Sequence, residues 1–214
     1  MPTDLPAYYA RRAAEYERIY HKPERRADLD TVRSRVRDFF AHRHVFEVAC
    51  GTGYWTDVLA TSARSIVATD INEEVLTLAR QKPHAATRAE FVRADSYALP
   101  NFGRPFDAAF AGFWWSHIPQ RRIPSFLETF HAHLQPGARV MFIDNRYVLG
   151  SSTPIHRTDA SGDTFQLRPL SDGTTHEVLK NFPTPEQLTA ALTPFAAPRI
   201  ELLPHFWLLT YDLP

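Results

Sequence analysis

Four short groups of residues in this chain are of types and spacings that do chemistry. The first is Glu47, followed by the turn Gly51-Thr52-Gly53. Two glycines allow positive φ and leave no Cβ between the backbone and a ligand. An acid just before them suits an ammonium and repels a phosphate. The second group is Asp70, which ends the apolar run from Ser65. A carboxylate at a strand end can accept hydrogen bonds from both hydroxyls of a ribose. Asp95-Ser96 stands in the same relation to the run Ala89 to Arg93. The fourth is Phe113-Trp114-Trp115-Ser116-His117. Its aromatic faces can stack a flat molecule or face a cation. His117 titrates near neutrality and can take a proton from an oxygen or nitrogen. The ligand described by the first two groups has an ammonium and a ribose but no phosphate.

The elements needed to position these groups are legible. Val45, Phe46 and Val48 suit a strand packed on both faces, and Thr56 and Asp57 place polar groups in the first turn of a helix running from Trp55 to Ala63. Further strands are expected at 65–70, 89–93, 105–113 and 138–144, with helices at Glu73 to Lys82 and Ile123 to Leu134 between them. This alternation predicts an α/β fold with a mostly parallel sheet, whose carboxyl edge would carry all four groups. Before it, Leu5 to Tyr20 reads as a helix with Tyr9, Ala13, Tyr16 and Tyr20 at helical spacing. That face packs onto the domain or forms a lid offering phenols to a substrate. A second helix is expected from Asp28 to Phe40. After the fifth strand, Thr164 to Leu170 and Thr174 to Lys180 alternate around Ser171-Asp172-Gly173 as a hairpin. Thr184 caps a helix from Pro185 to Leu192, and 198–203 and 206–211 read as the last two strands. Each candidate also has a plain structural alternative. Asp70 could cap the next helix, Asp95 could close a turn, and Ser116-His117 could only form a turn while the tryptophans fill core.

Composition bounds the classes. The chain has 214 residues, which favours one domain with a real core. Lysine plus arginine and aspartate plus glutamate number 24 each, so the net charge is zero and no basic face for nucleic acid is expected. Cys50 is the only cysteine, which excludes an intrachain disulfide. Met1 to Arg12 has no apolar core of leader-peptide length and no run approaches a membrane span, so a cytoplasmic protein without a membrane partner is the default expectation. His131 and His133 are two apart on a helix and face different ways, so no metal site is expected.

The stretch Glu47 to Gly53 resembles motif I of the class I S-adenosylmethionine-dependent methyltransferases, E/D-x-G-x-G-x-G, with Ala49 in place of the first glycine. Leu134-Gln135-Pro136-Gly137 resembles the post-motif of the same family. The resemblance covers 44–146 by motif. It implies a seven-stranded doubly wound sheet, with 1–43 as a helical cap, 44–146 as the cofactor core, 147–181 as an insertion over the acceptor pocket, and 182–214 as a closing helix and strand pair. S-adenosylmethionine is the implied cofactor. Its implied set is Glu47, Ala49, Gly51, Gly53 and Trp55 at the turn, Asp70, Ile71 and Asn72 at the ribose and adenine, Asp95 and Ser96 at the adenine, and Ala111 on the fourth strand. The implied reaction is methyl transfer to an oxygen or nitrogen of a small molecule, with His117 as the assisting base. Tyr9, Tyr16, Trp114, Trp115, Arg146 and Arg168 are the candidates for touching that acceptor. Three other readings compete. A nucleic-acid methyltransferase is opposed by the neutral charge and by Gly112-Phe113-Trp114-Trp115 where an N/D-P-P-Y/F motif would stand after the fourth strand. An NAD-dependent oxidoreductase is opposed by Thr56 at the third glycine position and by acidic Glu47. A non-catalytic scaffold that keeps the cofactor fold is opposed by the intact acids and glycines.

Overall fold

A computed structural model describes residues 5–214. Met1–Asp4, part of the stretch read above for a leader, lie outside it. Strands β1 (His44–Val48), β2 (Ser65–Asp70), β3 (Ala89–Arg93), β4 (Phe106–Gly112) and β5 (Leu134–Asn145) are joined by helices α3 (Tyr54–Ala60), α4 (Glu73–Ala79), α5 (Ala85–Arg88) and α6 (Ile123–His131). The strands pair in parallel, in the order β3-β2-β1-β4-β5. Helix α7 (Pro185–Leu192) then leads to β9 (Arg199–Leu202) and β10 (Phe206–Asp212), and β10 inserts antiparallel between β5 and β9. The result is the expected seven-stranded α/β sheet. The order reverses between β1 and β4, so a crevice opens at their carboxyl ends.

Both faces of the sheet are covered. Val45 packs with Val36, Leu59 and Phe110 on one side, while Phe46 packs with Phe126, Phe130 and Trp207 on the other. Opposite burial of neighbouring residues is the period-two signature of a central strand. Helix α2 (Arg26–Phe39) covers the first face with Leu29, Val32 and Val36. Asp107 accepts from the His44 backbone N–H at 2.7 Å, at the edge away from the crevice. His131 bonds the Tyr211 hydroxyl at 2.6 Å. No group of metal-ligating side chains occurs among the described residues, and none of their helices is long and apolar enough to cross a membrane.

Helix α5 was not expected, α4 and α6 end three residues early, and three further differences concern the N-terminal segment, β5 and the insertion. Helix α1 covers only Leu5–Arg12, and Ala13–His21 continues as a 3-10 helix. Tertiary bonds hold this stretch: Thr52 Oγ1 donates to Glu17 at 2.7 Å and Trp55 Nε1 donates to the Tyr20 hydroxyl at 3.1 Å. Strand β5 starts four residues early, because Leu134 already pairs with Phe106. The insertion is a separate three-stranded sheet, not a simple hairpin, with β6 (Arg157–Thr158) added to β7 (Thr164–Pro169) and β8 (Thr175–Leu179). A two-residue strand has no periodicity to read.

Candidate active site

The glycine turn begins the site. Ala49, Gly51 and Gly53 all have positive φ, at 54°, 55° and 77°. Gly53 is fixed by packing: a Cβ there would lie 2.7 Å from the Ala79 Cβ. Gly51 has open space beside it and lines the crevice. Its backbone N–H donates to Asp70 Oδ2 at 2.9 Å, and Asn72 N–H donates to Oδ1 at 3.0 Å. These bonds hold the carboxylate at the end of β2 while leaving lone pairs for a ligand's hydroxyls. Burial pushes the Asp70 carboxyl up, and the two N–H bonds pull it part of the way back. Asp95 accepts from the Tyr97 N–H at 2.9 Å, so it closes a turn and faces the crevice at once.

The crevice is one cavity of about 570 Å³, well within the range of small-molecule sites. One end is lined by Gly51, Asp70, Ile71, Asn72, Asp95 and Ser96, and Ala49 also lines the cavity. The other end meets Tyr9, Tyr16, Trp114 and His117. Tyr97, Arg121, Arg122, Asp163 and Phe165 also line it. Sequence reasoning missed these, since they come from connections and from the insertion, where no motif marks them.

Several expected residues lie elsewhere. Glu47 is 1% exposed and sits behind the turn, off the cavity wall. Its Oε2 has no hydrogen-bond partner, and burial raises its carboxyl to about 8 despite the Thr56 hydroxyl beside it. Gly53 and Trp55 are also off the wall; Trp55 packs between Tyr54 and Phe113 in the core. Ala111 is fully buried between strands. Trp115 is core, edge-on to Phe142 and Trp207, so only Trp114 of the pair reaches the cavity. Arg146 points away and donates to the Leu203 carbonyl at 2.7 Å. Arg168 stands off the wall, where both Nε and Nη2 donate to Gln166 Oε1.

His117 ends a short 3-10 turn, Trp115–His117, after β4. Its Nδ1 lies 2.7 Å from the Leu179 carbonyl, an acceptor only, so Nδ1 carries the proton. Nε2 therefore accepts, and the Tyr9 hydroxyl donates to it at 2.8 Å. Burial, then the charges of Lys180 and Arg168, hold the imidazole well below its usual range. The turn is stapled to the insertion. Lys180 Nζ donates to Ser116 Oγ and pairs with Asp144 Oδ1 at 2.8 Å, and Asp144 Oδ2 accepts from the Ser116 N–H at 2.9 Å. Asn181 N–H donates to the Ser116 carbonyl at 2.8 Å. Burial lowers the Lys180 ammonium to about 8, against the pull of Asp144. Asp144, near the end of β5, is a fully buried ion-pair partner.

The geometry agrees with what known proteins show. A family model described as a methyltransferase domain matches residues 45–137. Demethylmenaquinone methyltransferases from Clavibacter sepedonicus and Lactiplantibacillus plantarum are 30% and 29% identical over 106 and 110 residues. Those alignments span 49% of this chain and 42% and 46% of the relatives, so the chain matches less than half of their length. Among solved structures, a DhpI–SAM–HEP complex superposes with a TM-score of 0.81 at 28% identity, covering 96% of this chain and 94% of that one. The N-methyltransferase NodS from Bradyrhizobium japonicum, solved with S-adenosylhomocysteine, shares the fold with a TM-score of 0.68 at 15% identity, covering 99% of this chain and all of that one. Residues 45–137 thus match a methyltransferase domain, and nearly the whole chain has the fold of solved proteins that hold S-adenosylhomocysteine or S-adenosylmethionine. The residues present fit S-adenosylmethionine: an open turn at Gly51, a carboxylate pre-set at Asp70, and a buried carboxyl oxygen of Glu47 without a partner.

Proposed function

We propose that the chain transfers the methyl group of S-adenosylmethionine to an oxygen or nitrogen atom of a small-molecule acceptor. One observation carries this reading. The cavity is continuous from the Asp70–Asp95 end to the Tyr9–Trp114–His117 end, so two ligands can meet inside it. When bound, the cofactor supplies an activated methyl on a sulfonium. The chain's residues supply alignment and exclude water, and alignment alone can contribute roughly 7–11 kcal/mol. Asp70 holds the ribose hydroxyls, and Asp95 with Ser96 faces the adenine. Trp114 offers a face to a flat acceptor. His117 contributes an accepting Nε2 that holds the Tyr9 hydroxyl in place. With Lys180 and Arg168 nearby it is a hydrogen-bond acceptor that positions, and a poor sink for a proton. The zero net charge of the chain supports a small acceptor over a nucleic acid.

Calorimetric titration with S-adenosylhomocysteine tests the cofactor end. Wild type is expected to bind at micromolar concentration, and Asp70→Ala at least tenfold more weakly. Equal affinity in the two proteins would remove Asp70 from the site.

A further inference from the structure

Resting on the methyl-transfer reading above, we propose that the acceptor is an organic oxyanion, a carboxylate or phosphoryl group, seated at the Tyr9–Tyr16–His117 end of the cavity with Arg168 and Arg12 as its counter-charges. Three cations from three separate elements converge behind that wall. Arg12 of α1 lies 5.5 Å from the Tyr16 ring centroid and donates to the Tyr8 hydroxyl at 3.1 Å. Arg168 of β7 pairs across the insertion sheet with His176, whose ring lies 5.4 Å from that of Tyr8, the neighbour of Tyr9. Lys180, just past β8, bonds Ser116 next to His117. The carboxylate of Asp144 is already taken by Lys180.

Elsewhere the chain pairs many of its arginines with acids. Arg157 meets Glu177, Arg35 meets Glu201, Arg33 meets Asp30 and Arg80 meets Glu73. Arg12 and Arg168 have no such partner among the described residues. Arg168 is held by a neutral amide, that of Gln166, which is 1% exposed and itself tied to the Thr153 carbonyl. The fixed amide orients the guanidinium without cancelling its charge. A half-buried guanidinium without a counter-ion is costly, and its planar fork matches the oxygens of a carboxylate or phosphoryl group. Beyond Asp70 and Asp95 at the cofactor end, two acids line the cavity, and one oxygen of each is engaged. Asp163 Oδ1 accepts from Gln120 N–H and Asn181 Nδ2, and Asp159 Oδ1 accepts from the N–H groups of Ser161 and Asp163. Arg121 and Arg122, on the same wall, match them in number. The excess charge at the Tyr9 end is therefore positive.

An oxyanion also settles the proton balance. Its oxygen attacks the methyl carbon, the O–C bond forms as the C–S bond breaks, and the electron pair goes to sulfur. The acceptor loses its negative charge and the sulfonium its positive one, and no proton moves. A site whose histidine sits beside two cations needs no base for that reaction.

The test uses the intact chain loaded with S-adenosylhomocysteine, with loading measured first by calorimetry. Inorganic phosphate and acetate are then titrated as probes, with acetamide as the neutral match for acetate. Saturable binding of either anion but not of acetamide is expected. Arg168→Gln should weaken anion binding at least tenfold, Arg168→Lys should restore part of it, and neither should change affinity for S-adenosylhomocysteine. A preference for phosphate over acetate would assign the phosphoryl class, and the reverse the carboxylate class. Anion binding unchanged in Arg168→Gln, or absent from the loaded wild type, would overturn the assignment. Failure of S-adenosylhomocysteine itself to bind would overturn the methyl-transfer reading and this one with it.

Discussion

Glu47 shows what single residues decide here. Its carboxyl is shut behind the glycine turn with one oxygen unpartnered, and its titration is raised to about 8. A carboxyl whose folded pKa lies above its unfolded value near 4.5 loses stability as pH climbs between the two. Ligand-free protein should therefore melt at falling temperature from about pH 5 to about pH 8, and Glu47→Gln should flatten that slope. Thermal melts across this range check it. The same residue reports on the cofactor. An ammonium brought near Glu47 would pull its proton off, so binding of S-adenosylhomocysteine at pH 7 should release a fraction of a proton. Calorimetry in buffers of different ionisation enthalpy reads that fraction, and a value of zero would leave Glu47 a purely internal group. From sequence, Glu47 and Asp70 looked alike, two acids at strand ends. Burial separates them, and burial at one position cannot be read from a motif.

At the scale of elements, the core was legible and the attachments were not. Strand β3 and helix α7 fall on their expected residues, because each has a clean period and clear boundaries; α7 even forms the full capping box between Thr184 and Gln187. The insertion was legible as β7 and β8, where alternation flanks a glycine turn. Its coupling to the site was not. Lys180 and Asp144 are 36 residues apart, and no spacing rule links a residue past a hairpin to one on a central strand. That pair holds the insertion sheet against the Trp115–His117 turn. Removing one partner of a buried ion pair leaves an uncompensated charge, at a cost of roughly 3–5 kcal/mol. Lys180→Met should lose stability on that order in denaturant unfolding, and adding Asp144→Asn should recover part of it. A single mutant as stable as wild type would mean that the insertion is held mainly by Asn181 and by apolar packing.

For the whole molecule, the sheet supplies a rigid frame, and both ligand ends of the cavity are built on its carboxyl edge. What closes over that edge is the N-terminal segment. It touches the cofactor turn through Glu17 and Thr52, the core through Tyr20 and Trp55, and the far end through Tyr9 and His117. The fold itself is shared with whole solved structures over nearly the full length of each.

Those three fastenings set a clock. Tyr9 and Tyr16 line the cavity, so lifting of this segment would open a way out for spent cofactor, and opening of such covers paces many enzymes. Rapid mixing should show a first burst of about one methylated product per chain followed by a slower steady rate. Thr52→Val, which cuts one fastening, should raise the steady rate and leave the burst in place. A linear time course from the first turnover would put the slow step in the chemistry instead.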